Sequence, residues 1–128
     1  MNSEEMKRRT KHFALAVIKA VEKLPTSVIT SIILRQLIRC STSVGANYRA
    51  ACRAKSRSDF IAKMAIVEEE CDESLYWMEM LGESKKVSPD YFKNEMKEGN
   101  ELLSIVVSSI KTARSNKLSY AQTRQFGG

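Results

Sequence analysis

The chain has 128 residues, 43% of them hydrophobic, which suits one packed domain and is short for two. Its net charge of +6 hides an asymmetry: residues 1–57 hold 12 cationic side chains against 3 acidic ones, and residues 58–128 hold 9 against 12. Two prolines and five glycines are too few turn signals for an all-β fold, and the longest nearly apolar run, 102–107, is far below the ~20 residues of a membrane span.

From Glu4 to Leu24, Phe13, Val17, Val21 and Leu24 recur at three- and four-residue intervals, the pattern of an amphipathic helix that Pro25 stops. Thr26 and Ser27 offer caps for a second helix with Ile29, Ile33 and Leu37 on its apolar side, extending to about Lys55 and just beyond. Its middle, 41–45, combines hydroxyl residues, a valine and a glycine, all poorer helix formers than alanine. The small Ser43, Gly45 and Ala46 predict a close helix–helix contact there rather than a kink. Ser58 and Asp59 are read as the cap of a third helix, Ser58 to Gly82, with Phe60, Met64, Val67, Cys71, Leu75 and Met78 on a near-heptad seam and Gly82 as its C-cap. Ile66, Trp77 and Met80 form a second apolar patch on that helix. Ser88 and Pro89 open a fourth helix, to Ala113, with Phe92, Met96, Gly99, Leu103, Val106 and Ile110 on its seam. The polar tail from 115 to 128 loses periodicity and is expected to be flexible. Four such helices over 1–114 predict an all-α, antiparallel up-and-down four-helix bundle.

If the second helix runs past Lys55, then Arg35, Arg39, Arg49, Arg53 and Arg57 lie within roughly an 80° arc along about 30 Å. Thr42 and Ala46 leave the gap in this row open. Such a row suits a polyanion or an acidic helix, and Lys7, Arg8, Arg9 and Lys11 add charge from the first helix. On the third helix Glu68, Asp72, Glu79 and Glu83 fall within about a 60° arc, so the two stripes are also possible partners of each other, within one chain or between copies.

Catalytic signatures are scarce. His12 is the sole histidine, and no phosphate-cradling glycine loop occurs. A carboxylate-bridged di-metal centre in a bundle wants Glu-x-x-His pairs, and the chain has none. The expectation is a non-enzymatic protein with neither metal nor cofactor. Three widely spaced cysteines, Cys40, Cys52 and Cys71, read as buried free thiols of a cytoplasmic protein.

The stretch Ser41-Thr42-Ser43-Val44-Gly45-Ala46-Asn47-Tyr48-Arg49-Ala50-Ala51, then Arg53, then Lys55-Ser56-Arg57-Ser58-Asp59-Phe60, with Glu70, Leu75 and Met78 beyond, resembles the bacterial four-helix bundle proteins encoded within 23S ribosomal RNA intervening sequences. The resemblance spans roughly residues 12–114 and includes the order and lengths of the four helices. It implies a homo-oligomer, commonly a pentameric ring, and similar accessory proteins of diversity-generating retroelements bind nucleic acid and a reverse transcriptase. The leading expectation is therefore RNA or DNA bound through Arg35, Arg39, Arg49, Arg53, Arg57, Lys7, Arg8, Arg9 and Lys11. Oligomer contacts are expected at Ile66, Trp77, Met80, Glu68 and Asp72. The rival expectation is an assembly adaptor or scaffold whose arginine stripe meets acidic helices.

Overall fold

Asn2 starts the first helix by accepting the Glu5 N–H at 2.8 Å, and Ser27 starts the second by accepting the Thr30 N–H at 3.2 Å. The structure, a computed structural model, describes residues 1–115. Four helices fill it: α1 (Ser3–Glu22), α2 (Val28–Cys52), α3 (Arg57–Glu83) and α4 (Lys93–Ser115), with no strand among the described residues. Each helix packs on the next and α1 closes against α4, which makes the expected antiparallel four-helix bundle. The polar tail expected over 115–128 lies, apart from Ser115, outside the described residues.

Three boundaries differ from the sequence reading, each for a local reason. α2 stops at Cys52 because Ser56 takes an extended backbone (φ −156°, ψ 166°) and caps α3 by accepting the Asp59 N–H at 3.0 Å, two residues earlier than Ser58 would. Asp59 completes the turn, accepting the Lys55 N–H at 3.1 Å and pairing with Lys63 at 2.6 Å. The Lys63 contact and the Lys55 N–H hold its carboxyl below the ordinary 3.8, so this contribution to stability is present above that pH and is lost as pH falls through the lowered value. Gly82 does not cap α3; the helix runs through it to Glu83, and Lys85 takes the left-handed turn (φ 62°) instead. Pro89 lies in turns that precede α4, while Phe92 is buried and its carbonyl accepts the Met96 N–H. Replacing Ser56 with alanine is expected to cost about 1 kcal/mol, read as a lower urea midpoint with unchanged m.

The soft middle of α2 stays helical. Hydroxyls of Thr42 and Ser43 donate back to the carbonyls of Ile38 and Arg39, both at 2.7 Å. The predicted close contact is made by Gly45: a Cβ there would lie 3.2 Å from Thr10 Oγ1, so α1 and α2 approach closely at this level. Ala46 is exposed and takes no part. The α1–α4 seam has its own close approach, where a Cβ on Gly99 would meet Leu75 Cδ2 at 2.9 Å and Phe13 Cε1 at 3.3 Å. The same seam is tied by the Tyr91 hydroxyl donating to the Ala20 carbonyl at 2.5 Å.

All three cysteines are free and buried. Burial, helped by the charge of Asp72, pushes the Cys71 thiol up to about 12, and burial raises Cys40 and Cys52 as well. Iodoacetamide near neutral pH is accordingly expected to leave native protein unlabelled and to modify three thiols once urea unfolds it. Rapid labelling of the native protein would contradict this burial.

Candidate nucleic-acid interface

The helix ends decide how the nine predicted cations are deployed. Because α2 ends at Cys52, the five arginines are not one continuous stripe. Arg35, Arg39 and Arg49 stand on α2, Arg53 is its C-cap, and Arg57 is the first residue of α3. Arg57 turns inward to α4, donating to the carbonyl of Ala113 at 3.1 Å and to that of Arg114 at 3.4 Å. It satisfies carbonyls that the end of a helix leaves without internal partners.

Two further arginines are held by carboxylates three residues apart. Arg39 reaches Glu70 at 3.3 Å and Glu73 at 2.6 Å on α3. Arg9 binds Glu98 through Nε (2.9 Å) and a terminal nitrogen, and Glu101 at 2.8 Å, on α4. Its hydrogen bonds to Glu98 raise its pKa further, against the cost of partial burial. Both clamps join neighbouring helices, and the i, i+3 spacing of each carboxylate pair places the two acids on one side of a helix. That spacing is the sequence signal of these four glutamates.

Of the two expected pairings of the arginine row with Glu68 and Asp72, within one chain or between copies, the same geometry excludes the first. Seen down α3, Glu70 and Glu73 point toward α2, whereas Glu68, Asp72 and Glu79 lie about 150° around the helix. They cannot reach α2 of their own chain, and no ion pair involves them among the described residues. The Cys40 sulfur and one oxygen from each of Glu70 and Glu73 lie within 4.8 Å of one another. The Arg39 guanidinium sits on both carboxylates and burial raises the Cys40 thiol, so the cluster has the chemistry of an arginine clamp.

What remains on the outside of α1 and α2 is a cationic face. Arg8 and Lys11 on α1, Arg35 and Arg49 on α2, and Arg53 and Lys55 in the following turn are exposed and have no ion pair among the described residues. Lys7 is half-buried and, among the described residues, pairs only with Glu4, at 3.2 Å. The Thr10–Gly45 contact with antiparallel helices sets the start of α1 beside the end of α2, so charges from both form one patch; Lys7, Glu4 and Arg53 all act on the Cys52 thiol. Between α1 and α4 a cavity of about 210 Å³ is lined by His12, Phe13, Ala16, Asn94, Glu95 and Glu98, beside the Glu98–Arg9–Glu101 clamp. A polyanion is attracted to the α1/α2 side.

The residues expected at an oligomer contact divide as well. Ile66 is 42% and Met80 37% exposed, and Tyr76 and Ile32 are exposed on the same α2/α3 side. Trp77 is half-buried against the core, edge-on to Tyr76 at 5.0 Å, and its buried Nε1–H has no partner among the described residues.

Residues 3–108 match the family model of the 23S rRNA-intervening sequence protein. The chain belongs to the 23S rRNA-intervening sequence protein family. Its fold is shared by a crystal structure at 1.70 Å of a protein with unknown function from the S23 ribosomal protein family of Bacteroides thetaiotaomicron VPI-5482. That structure is 30% identical over 84% of this chain and 99% of that chain, with a TM-score of 0.74. No curated protein matches the chain. For this member of the 23S rRNA-intervening sequence protein family, no helix among the described residues is long and apolar enough to cross a membrane.

Proposed function

We propose that the chain is a non-enzymatic, homo-oligomeric accessory protein that binds nucleic acid through the phosphates, using the α1/α2 face. One observation carries this reading: Arg8, Lys11, Arg35, Arg49 and Arg53 stand exposed without ion pairs among the described residues, while Arg9, Arg39 and Arg57 bind other helices. Cations used for the fold and cations left outside are thereby separated. Phosphate contacts position a protein without reading sequence, so affinity should depend strongly on salt and weakly on sequence. Membership of a family named for an rRNA intervening sequence supports a nucleic-acid setting.

Self-association is supported by the apolar Ile66, Met80, Tyr76 and Ile32 on the α2/α3 side. Light scattering is expected to give a multiple of the 14.5 kDa chain mass, and the purified protein to carry nucleic acid visible in its ultraviolet absorbance. A monomer free of nucleic acid at low salt would contradict the proposal.

A second reading rests on the acidic residues. Glu68, Asp72 and Glu79 point away from α2 and have no ion pair among the described residues, so the α3 flank of one copy matches the α2 flank of another in charge. This is the adaptor reading, in which arginine and acidic helices meet between subunits. It requires Asp72→Arg to change the native mass, whereas the nucleic-acid reading requires that variant to keep its mass and its binding.

A further inference from the structure

The basic face also carries information about the form of its ligand. Arg35 and Arg49 are 14 positions apart on an unbroken helix, so two cationic stations stand about 21 Å apart on a rigid rod. Arg53 and Lys55 extend the second station. Between the stations the exposed side chains of α2 are Arg39, held toward α3 by Glu70 and Glu73, and the short Thr42 and Ala46, so a broad ligand can lie across both.

Among the described residues the face exposes no Phe, Tyr or Trp ring on which bases could stack. Tyr48 on α2 is 6% exposed and Phe13 on α1 is 1% exposed, and the exposed aromatic Tyr76 belongs to α3. Proteins that take single strands combine a basic groove with aromatic platforms for splayed bases. A convex helical surface offering point charges at fixed spacing is matched by a ligand whose phosphates are already at fixed positions. A double helix meets that condition with its bases stacked inside, and its charge is dense, about one per 1.7 Å of axis. A flexible strand would lose conformational freedom to reach both stations and gain no stacking in return.

Resting on the nucleic-acid reading above, we infer that the α1/α2 face takes the backbone of double-stranded nucleic acid, bridging phosphates between the Arg35 and Arg49 stations. The test uses the full-length chain and fluorescence anisotropy at about 50 mM salt. The probes are duplexes of about 20 base pairs, one RNA and one DNA, and an unstructured single strand of the same length for each. The expected result is duplex binding about tenfold or more tighter than strand binding, with Arg35→Gln and Arg49→Gln each weakening the duplex complex at unchanged helix content. Strands bound as tightly as duplexes would overturn this inference and leave the phosphate-binding reading intact. Binding to none of the four probes would overturn both. Duplex affinity unchanged in both variants would overturn the assignment of the two stations.

Discussion

Replacing Phe13 with alanine is expected to cost about 3–5 kcal/mol of folding stability, a large share of the ~5–15 kcal/mol that domains of this kind possess. Phe13 is 1% exposed and its ring edge packs over Gly99 at the α1–α4 seam. Truncation removes the buried ring and leaves a cavity that the Arg9 clamp and the Tyr91–Ala20 hydrogen bond keep from collapsing. The consequence reaches function, because α1 carries Arg8 and Lys11 of the basic face. Urea denaturation measures the loss, and hydrogen exchange should show α1 amides losing protection first. A change below about 1 kcal/mol would mean that Phe13 does not hold α1 to the bundle.

The second large effect concerns binding rather than folding. Reversing Arg49 and Arg53 together, to glutamate, changes the face by four charges at the station where α2 ends. Affinity for a structured RNA is expected to drop about 100-fold or more at low salt, equivalent to roughly 2.7 kcal/mol. Both side chains are exposed and unpaired among the described residues, so packing is untouched. The reversal places acidic groups at a helix C-terminus, which costs only about 0.3–1 kcal/mol each. Arg39→Gln is the informative comparison. It removes an exposed-to-half-buried ion pair with Glu70 and Glu73, which should change stability little, and should leave affinity nearly unchanged. If Arg39→Gln and the double reversal weakened binding alike, the division between structural and ligand-facing arginines would be wrong.

The parts of this structure that the sequence discloses are those written in local chemistry. Pro25, Ser27 and the seam of Phe60, Met64, Val67 and Cys71 place three helices within a turn of their observed positions. Boundaries were missed where the decisive contact has no compositional mark: Ser56 rather than Ser58 caps α3, and Lys85 rather than a glycine adopts the left-handed turn. The candidate site was legible as a set of cations and illegible as a division among them. Periodicity gives each arginine an angle around its own helix, but whether that angle faces solvent or an acid depends on which flank the next helix occupies. Arg39 and Arg35 differ by about 40° on α2, and only the placement of α3 brings Glu70 and Glu73 to one of them. The same dependence on the placement of α3 leaves a pairing of the arginine row with Glu68 and Asp72 open within one chain in the sequence, whereas the structure sets both acids on the far flank of α3.

The most direct measurement of the central claim is the salt dependence of binding to one duplex RNA, for the native chain and for Arg49→Gln/Arg53→Gln. Six exposed cations at the face, Arg8, Lys11, Arg35, Arg49, Arg53 and Lys55, set an upper slope of about −5 in log K against log salt, and the double variant should reduce its magnitude by about 2. A slope near zero, or one that the double variant leaves unchanged, would contradict phosphate binding by this face.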